Sequence, residues 1–537
     1  MTTQSKRTGT ITDELLAQAS RSELYNLAQE HDIAGRSSMN KRELAKSLAA
    51  AGSSDKSTGS KSYNGIHPTS GAPRSPSGEL DTDLEKIVSR YAAFEALAKR
   101  AASGEFVMLP SHLTGNDRRL HVRQTIREDH QTRIAVGGAE TEAKFKKLAD
   151  SVFAFFRGTA FLFYRDMAGE DAWMPTVLNL GDVHPGNFGI MPNADNVPIF
   201  AVNDFDDADY APFTWDLKRG TTAFILACAE KGGHGTAFCR HVARHFIKSY
   251  VRSIKSFEAK GNETDHEIRH DNAPKLLRKL FKSAEQERAQ WLAEDYHDEY
   301  GRGFRTDEEL VPISRRRDEF QTLIDKLAAD NDINMPHRVG KRLKVKDVAI
   351  RHGQGTASLG LPRYYVLIEG INADASDDLI VEFKRARRSS MAGLAPAKDS
   401  GFDSHAERIA NAQAVQLSQG DVFYGSVDID GYSFMTRERA PFRDDIDMGD
   451  LSKKNWKKYA AICGRALAHA HAMSDETGRI DYDVEPLIIK AIGRRDLFID
   501  DILRWSEEAV TRVRTDHAHF VSDHKLGAFQ HFDVAFQ

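Results

Sequence analysis

The sequence predicts an α+β protein of two lobes, preceded by a small N-terminal helical module. Three features of the 537-residue chain lead to this prediction. Two acidic motifs, LNLGDVHPGNFGIM (178–191) and VPIFAVNDFDDADYAP (197–212), each contain short strand-like apolar runs. Alternating strand residues return at 344, after a long helical and charge-rich stretch. A segment rich in Ser, Gly and Pro separates this body from a short helical pattern at the start of the chain.

Composition restricts the class of protein. Hydrophobic residues make up 40% of the chain and charged residues 28%, and the net charge of −5 offers no global attraction for nucleic acid or an anionic membrane. The three cysteines, Cys228, Cys239 and Cys463, lack metal-ligand spacing and indicate a reducing compartment without a disulfide framework. The N-terminus has no apolar signal core, and no run of eighteen apolar residues occurs. We therefore expect a cytoplasmic protein with no membrane partner.

The first segment, 1–51, predicts a helix–loop–helix unit over 12–50, in which Asn40 and Glu43 form a capping box. This pattern resembles the Rho N-terminal and SAP-like modules, some of which bind nucleic acid. A plain helical unit that docks onto a protein is the alternative. Residues 52–79 are rich in Ser, Gly, Pro and Lys, which predicts a flexible linker.

Helical spacing of apolar residues predicts helices over 81–101 and 139–166, upstream of the acidic motifs. The segment 213–228, FTWDLKRGTTAFILAC, predicts a buried helix. Residues 238–332 are mostly helical in pattern and charge-rich, and a further helix is predicted over 452–473, before a final helical segment.

The two acidic motifs carry the candidate chemistry. Asp182 and Asn187 have the Asp-x-x-x-x-Asn spacing of a phosphotransferase catalytic loop. We expect two short strands, joined by the loop 191–198, to set these residues beside Asp204. Asp182 would accept a proton from a substrate hydroxyl, while Asn187, Asp204 and Asp206 would supply oxygen ligands to Mg²⁺. The alternative is that these polar residues only cap strand ends and turns.

The region from 344 predicts a nucleotide-binding lobe. Two strands in 344–370 flank a turn rich in small residues, and a third strand, 379–386, carries Lys384. Close approach of backbone N–H groups to phosphate is possible in that turn, although any tight hairpin also uses glycine. The candidate nucleotide-binding residues are Gly353, Gly355, Ser358, Gly360 and Lys384. We expect the Lys384 amine to face the Asp204 carboxylate across a cleft.

A helix over 404–418 and a hairpin over 422–439 follow, with Asp430-Gly431 as the turn signal. Ser404 and Glu407 can form a capping box at the start of that helix, which would explain the glutamate by helix initiation alone.

Two resemblances sharpen these expectations. GDVHPGN, then NDFDD, then the WDLKR run resemble the C-lobe of kinases of the aminoglycoside-phosphotransferase type. Five segments in order are similar to the DUF2252 family: FAFFRG (153–158), LGDVHPGNFG (180–189), NDFDDADYAPFTWDLKR (203–219), DVAIRHGQGTASLGLPRYYVLIEG (347–370) and FKRARRSS (383–390). The kinase resemblance implies that Asp216 tethers the catalytic loop through backbone amides. It also implies that Glu407 pairs with Lys384 and completes the nucleotide site, an interpretation that stands equal to the capping box.

The same resemblance implies a protein-kinase-like two-lobe fold in an unusual order. The C-lobe would span 80–343, the N-lobe 344–440, and a helical segment over 441–537 would complete the C-lobe. In an ordinary kinase the N-lobe comes first, so this order predicts a circular permutation with new termini upstream of the catalytic loop. Permutation is tolerated where native termini lie close together.

The expected function is ATP- and Mg²⁺-dependent phosphoryl transfer. We expect a small-molecule acceptor, because the sequence has no recognisable activation-segment ending of the kind that protein kinases have. The alternative is a catalytically silent nucleotide-binding pseudokinase or scaffold, associated with nucleic acid or protein through the N-terminal module. The acidic residues and Lys384 favour the first function. Ala357 and Arg385 depart from the expected pattern around the turn and the lysine, and they favour the second.

Overall fold

The computed structural model describes residues 46–48, 89–284, 287–340, 342–352, 362–396, 401–417, 420–441, 446–475 and 479–530. The expected N-terminal module and linker lie outside the described residues, apart from 46–48, and so does the first part of the expected helix 81–101.

Sixteen α-helices occur in these residues: α1 (Tyr91–Ala102), α2 (Gly115–Asp129), α3 (Gln131–Val136), α4 (Ala139–Asp150), α5 (Val152–Gly158), α6 (Ala160–Arg165), α7 (Phe213–Glu230), α8 (Thr236–Lys260), α9 (Lys275–Ala284), α10 (Arg288–Asp295), α11 (Arg317–Asp330), α12 (Pro336–Val339), α13 (His405–Gln416), α14 (Lys453–Ala472), α15 (Val484–Ile492) and α16 (Arg495–Lys525). The described strands are β1 (Thr176–Asn179), β2 (Phe188–Pro192), β3 (Pro198–Val202), β4 (Asp209–Pro212), β5 (Leu310–Pro312), β6 (Val345–Arg351), β7 (Arg363–Ile368), β8 (Leu379–Arg385), β9 (Gly425–Ile429) and β10 (Tyr432–Arg439). The α+β class is confirmed.

The expected single helix over 139–166 is wrong, because three helices, α4, α5 and α6, occupy this stretch. Ser151 has an extended backbone (φ −150°, ψ 127°), and its Oγ caps α5 by accepting the N–H of Ala154. A second break falls at Thr159. Nearly every side chain from 153 to 165 is buried, so the apolar residues do not define one face of one helix. The breaks allow the chain to turn and bury them all.

The acidic motifs lie in two small antiparallel sheets. β2 pairs with β3 as a hairpin, whereas β1, the strand that precedes Asp182, pairs with β4. We expected the loop 191–198 to join the strand before Asp182 to the strand before Asp204. This is wrong, because the loop joins β2 to β3, and β1 pairs with β4 instead. A 3₁₀ turn at Pro185–Asn187 separates β1 from β2 and interrupts the strand, since Pro185 has no N–H to donate to a ladder.

A six-stranded antiparallel sheet has the order β5-β6-β7-β8-β10-β9. The expected hairpin is confirmed: β9 and β10 meet at Asp430 and Gly431, whose φ angles are 52° and 79°. The sheet also includes β5, which precedes residue 344 in the chain. Its side chains alternate between two apolar clusters, as strand geometry requires. In β7, Val366 packs in the cluster with α11, and Tyr365 packs with Trp291.

The largest core lies among the helices and carries the acidic motifs. The expected buried helix 213–228 is confirmed as α7, most of whose side chains are buried, including the charged Asp216 and Arg219. α8 and α14 pack closely because Gly464 has no side chain: a Cβ there would lie 2.2 Å from the carbonyl oxygen of Phe246. In this body, residues of α7 and α14 contact the loop that contains Asp182.

All three cysteines lie in the described part of the chain and are buried free thiols. Among the described residues, no helix is both long enough and apolar enough to cross a membrane.

Candidate active site

Asp216 on α7 binds the backbone of the turn that contains Asp182. The Asp216 carboxylate is fully buried and accepts the backbone N–H groups of Leu180 (2.6 Å) and Gly181 (3.0 Å). His471 Nε2 lies 3.1 Å from the same carboxylate. The expected tether between Asp216 and the backbone amides of this loop is therefore confirmed. Gly181 is required here, since its φ is +83° and a Cβ would lie 2.3 Å from the carbonyl oxygen of Asp207.

The Asp182 side chain forms an ion pair with Arg219, one turn along α7 from Asp216. Arg219 donates from Nη2 (2.6 Å) and Nε (3.0 Å) to Asp182 Oδ1. Arg219 is fully buried, and its guanidinium lies 4.2 Å from the centroid of the Phe156 ring. Burial raises the pKa of Asp182 to about 6, opposed by Arg219 and assisted by the negative charge of Asp207. Asp182 is therefore ionised at neutral pH but close to the range in which it can accept a proton.

His184 supports the turn from the other side. Its Nδ1 accepts the N–H of Gly186 (3.1 Å), and its Nε2 lies 3.6 Å from Asp182 Oδ2 and 3.0 Å from Arg157 Nε. Burial, followed by the nearby charges of Arg157 and Arg219, lowers its pKa well below the usual value, so the ring is neutral. These contacts fit a structural role in the loop.

Asn187 connects the first motif to the second. Its Nδ2 donates to the backbone oxygen of Asp182 (2.8 Å), so the amide oxygen is the atom suited to bind a cation. The backbone oxygen of Asn187 accepts the N–H of Asn203 (3.2 Å), which directly precedes Asp204. The structure thus brings the two motifs together at the ends of β2 and β3.

Asp204 and Asp206 form a pair of half-buried carboxylates. The N–H of Asp206 donates to Asp204 Oδ1 (3.3 Å). Burial raises the pKa of Asp204, and the charge of Asp206 raises it further, while Lys384 opposes both. Burial acts in the same direction on Asp206, but the adjacent Lys384 outweighs it and lowers the pKa of Asp206. Two carboxylates that repel one another are suited to share a divalent cation.

Lys384 reaches this pair from β8 of the large sheet. Its ammonium forms an ion pair with the Asp206 carboxylate, and the lysine side chain is only 9% exposed. The pairing joins residues 178 positions apart in the chain. The sequence indicated Asp204 as the carboxylate facing this lysine, whereas the ion pair in the structure is with Asp206.

The remaining nucleotide-binding candidates have different outcomes. Glu407 takes part in the cap of α13: its N–H donates to Oγ of the N-cap residue Ser404 (3.1 Å), and its Oε2 accepts the N–H of Asp403 (2.9 Å), one residue earlier. Pairing between Glu407 and Lys384 stays a prediction. The other four, Gly353, Gly355, Ser358 and Gly360, lie outside the described residues.

Two arginines of the site were missed by the sequence analysis. Arg219 contacts Asp182, and its position three residues after Asp216 on a helix is a signal that could have revealed it. Arg408 of α13 donates to the backbone oxygens of Asp206 (2.7 Å) and Arg387 (2.9 Å), and also to that of Ala208. No local pattern indicates this second contact, because it joins segments about 200 residues apart.

A separate group of acidic side chains, Asp475, Asp483 and Glu485, has ligand atoms within 4.8 Å of one another. Burial raises the pKa of Glu485 to about 8. Acidic groups cluster in this way without a metal, and nothing else assigns this group a role.

Comparison with known proteins gives the family. The model of a family described as an uncharacterized protein conserved in bacteria (DUF2252) matches residues 138–523. This match takes in more than half of the chain, which therefore belongs to the DUF2252 family, as the five segments indicated. No curated protein and no solved structure matches the chain.

Proposed function

We propose that this member of the DUF2252 family is an ATP- and Mg²⁺-dependent phosphotransferase with a circularly permuted, kinase-like two-lobe fold. The observation that carries the proposal is the ion pair between Lys384 and Asp206. It brings the lysine of the sheet to the acidic motif that follows the Asp182 loop. Phosphoryl transfer needs three kinds of group in one place. These are a cation that binds phosphate oxygens, carboxylates that bind a metal ion, and a carboxylate that accepts a proton.

The order of the elements supports the permutation. Three strands (β6, β7, β8), a helix (α13) and a hairpin (β9, β10) follow one another along the chain, and the five strands share one sheet, as expected for a nucleotide-binding lobe. The chain then continues through α14 to Ser474, whose Oγ accepts the N–H of Leu178 in β1 (3.1 Å). The end of this run thus lies against the strand that enters the Asp182 loop. In an unpermuted chain the two would be connected at this point.

The donor set suits magnesium. Asn187, Asp204 and Asp206 supply one amide oxygen and two carboxylates, and Mg²⁺ is bound by such oxygens together with water and substrate phosphates. When bound, the ion would neutralise charge on the nucleotide phosphates. Burial raises the pKa of Asp204, and so does repulsion by Asp206, which such a cation would relieve.

The residues of the chain have distinct roles in the transfer step. The acceptor hydroxyl oxygen attacks the γ-phosphorus, and the bond from that phosphorus to the bridging oxygen of the β-phosphate breaks. ADP leaves with the electron pair of the broken bond. The hydroxyl proton passes to Asp182, whose pKa of about 6 is suited to accept it. Arg219 is a positioning residue that fixes the Asp182 carboxylate, and Asp216 fixes the loop.

Replacement of Asp182 by asparagine tests this assignment. Asp182→Asn should keep Mg²⁺–ATP binding, measured by calorimetry, because the metal ligands and Lys384 remain. Turnover should fall by about 10²–10⁴-fold, the usual cost of losing general-base assistance. The assay is release of phosphate from ATP to water, followed by transfer to a panel of hydroxyl and amine metabolites. Equal turnover in wild type and Asp182→Asn would exclude Asp182 as the proton acceptor.

A second function, nucleotide binding without turnover, is favoured by the Arg219 contact. Two nitrogens of this buried guanidinium already bind one oxygen of Asp182. Arg219 opposes the effect of burial on the pKa of Asp182, so the carboxylate is a weaker base than it would be without this contact. Wild-type protein that binds Mg²⁺–ATP, but neither hydrolyses it nor transfers its phosphate to any member of the panel, would support a pseudokinase or scaffold instead.

A further inference from the structure

A cavity with a surplus of cationic side chains lies beside the acidic motif. It is lined by the end of β8 and the segment that follows it, by the loop between β3 and β4, and by residues of α2, α4, α5 and α6. Five of its side chains are basic: Lys144, Arg157, Arg385, Arg387 and Arg388. Three are carboxylates: Asp129, Asp206 and Asp207.

The carboxylates do not balance these cations. Asp129 pairs with Arg387 (2.8 Å), but Asp206 is bound by Lys384, which is not part of the lining. Asp207 Oδ1 accepts the backbone N–H of Ser390 (2.8 Å). Even without Lys144, four arginines face three carboxylates, so the cavity has an excess of positive charge and its walls favour an anion.

Contacts with aromatic rings and the backbone hold two of the arginines in place. The Arg388 guanidinium lies 4.3 Å from the centroid of the Tyr91 ring, and its Nη2 donates to the backbone oxygen of Ala392 (3.0 Å). The Arg385 guanidinium lies 3.6 Å from the centroid of the Tyr432 ring. Such stacking fixes a planar guanidinium without neutralising it, and the side chain can still bind an oxyanion.

The basic side chains are also crowded. Lys144 is only 1% exposed, and burial lowers its pKa well below the usual value, with further lowering by Arg133 and Arg387. Burial, followed by the charge of Arg387, lowers the pKa of Arg133 to about 9. An anion placed among these groups would favour their charged forms and be held by them in return.

This cavity adjoins the candidate active site. Arg157 lines it and contacts His184, two residues after Asp182. Asp206 and Asp207 also line it and belong to the acidic motif. A molecule seated on the basic side chains therefore lies next to Asp206, and Arg157 and His184 connect its site to Asp182.

We propose that this cavity is the acceptor subsite, and that the acceptor is a small molecule with an anionic phosphate or carboxylate group bound by Lys144, Arg385 and Arg388. The proposal rests on the proposed function, since an acceptor has meaning only if phosphate is transferred. Arginine and lysine bind both kinds of oxyanion, and arginine does so with two parallel hydrogen bonds.

The experiment is a calorimetric titration of the full-length protein with inorganic phosphate and with succinate. Each titration is run without nucleotide and at saturating magnesium and a non-hydrolysable ATP analogue. Arg388→Gln and Lys144→Met should each weaken binding of at least one of the two anions by about 10- to 100-fold, the usual loss for a charge-assisted hydrogen bond. Arg100→Gln is the matched control, because Arg100 is exposed and paired with Glu105 away from the cavity, and it should bind like wild type.

The outcomes separate this proposal from the proposed function. Equal affinities in wild type and Arg388→Gln, or no anion binding by wild type in either condition, would overturn the subsite. Displacement of the anion by the ATP analogue would also overturn it, since the cavity would then hold the nucleotide phosphates. Anion binding that depends on Arg388, without binding of the analogue, would support the anion site and reject the ATP-dependent function. If Lys144→Met does not fold, Arg388→Gln decides alone.

Discussion

Asp216 provides a test of the loop architecture that does not depend on any assumed substrate. Its carboxylate accepts two backbone N–H groups at 2.6 and 3.0 Å and is fully buried. In Asp216→Asn one of the two oxygens becomes an NH₂ group, which would face a backbone donor. A hydrogen bond to a charged group contributes about 1.5–3 kcal/mol, and an unpaired buried donor costs about 1–3 kcal/mol. Because these terms overlap, we expect the free energy of unfolding to fall by about 3 kcal/mol.

The measurement combines chemical denaturation with hydrogen exchange followed by mass spectrometry. Peptides that contain Leu180 and Gly181 should exchange faster in Asp216→Asn, while peptides from the large sheet should not change. Asp117→Asn is the control, because Asp117 also lies in the first turn of a helix but is exposed, and it should cost no more than about 0.5 kcal/mol. Unchanged exchange of amides 180 and 181, together with unchanged unfolding, would refute the role of Asp216 as the support of this loop.

Further predictions concern the metal site, the pH dependence of turnover and the N-terminal segment. Asp204→Asn removes a ligand charge and should abolish the magnesium dependence of ATP binding in calorimetry, with the melting temperature retained; unchanged affinity would show that the metal assignment is wrong. Turnover should fall as the pH drops through about 6, because Asp182 must be ionised to accept a proton. Arg219→Gln removes a charge that lowers this pKa, so the acidic limb of the rate profile should move to higher pH, whereas a limb that stays in place would contradict the contact. Deletion of residues 1–78 should leave the melting of the main body unchanged, and any nucleic-acid binding by the full-length protein should weaken with added salt in gel-shift titrations; no binding at low salt would leave protein docking as the role of the module.

Local signals in the sequence predicted much of the fold. The hairpin of β9 and β10 was predicted from Asp430-Gly431, since this pair adopts the left-handed backbone that a tight turn needs. The start of α13 was predicted from Ser404 and Glu407, and Ser404 does cap the helix by accepting the N–H of Glu407. In each case the residues that decide the conformation are within a few positions of one another.

Local sequence signals could not predict the contacts between distant segments. The spacing of apolar residues over 139–166 did not reveal the break at Ser151. Most side chains from 153 to 165 are buried, so the apolar residues do not mark one face of a single helix. The pairing of β1 with β4 depends on how the chain turns at 185–187, and β1 carries no mark of its partner. The link from Arg408 to the acidic motif, and the basic cavity around Lys144, are produced by the packing of several segments.

The acidic motif is also the point where the large sheet is tied to the helical body. Asp206 binds Lys384 of β8 through its side chain and Arg408 of α13 through its backbone oxygen. If Asp206 contributes to a magnesium site, its charge is shared, and its attraction for Lys384 weakens. Lys384 would then be free to bind nucleotide phosphates, as the proposed function requires. Because Arg408 keeps α13 attached to the motif during this exchange, occupation of the metal site and positioning of the lysine would be coupled at Asp206.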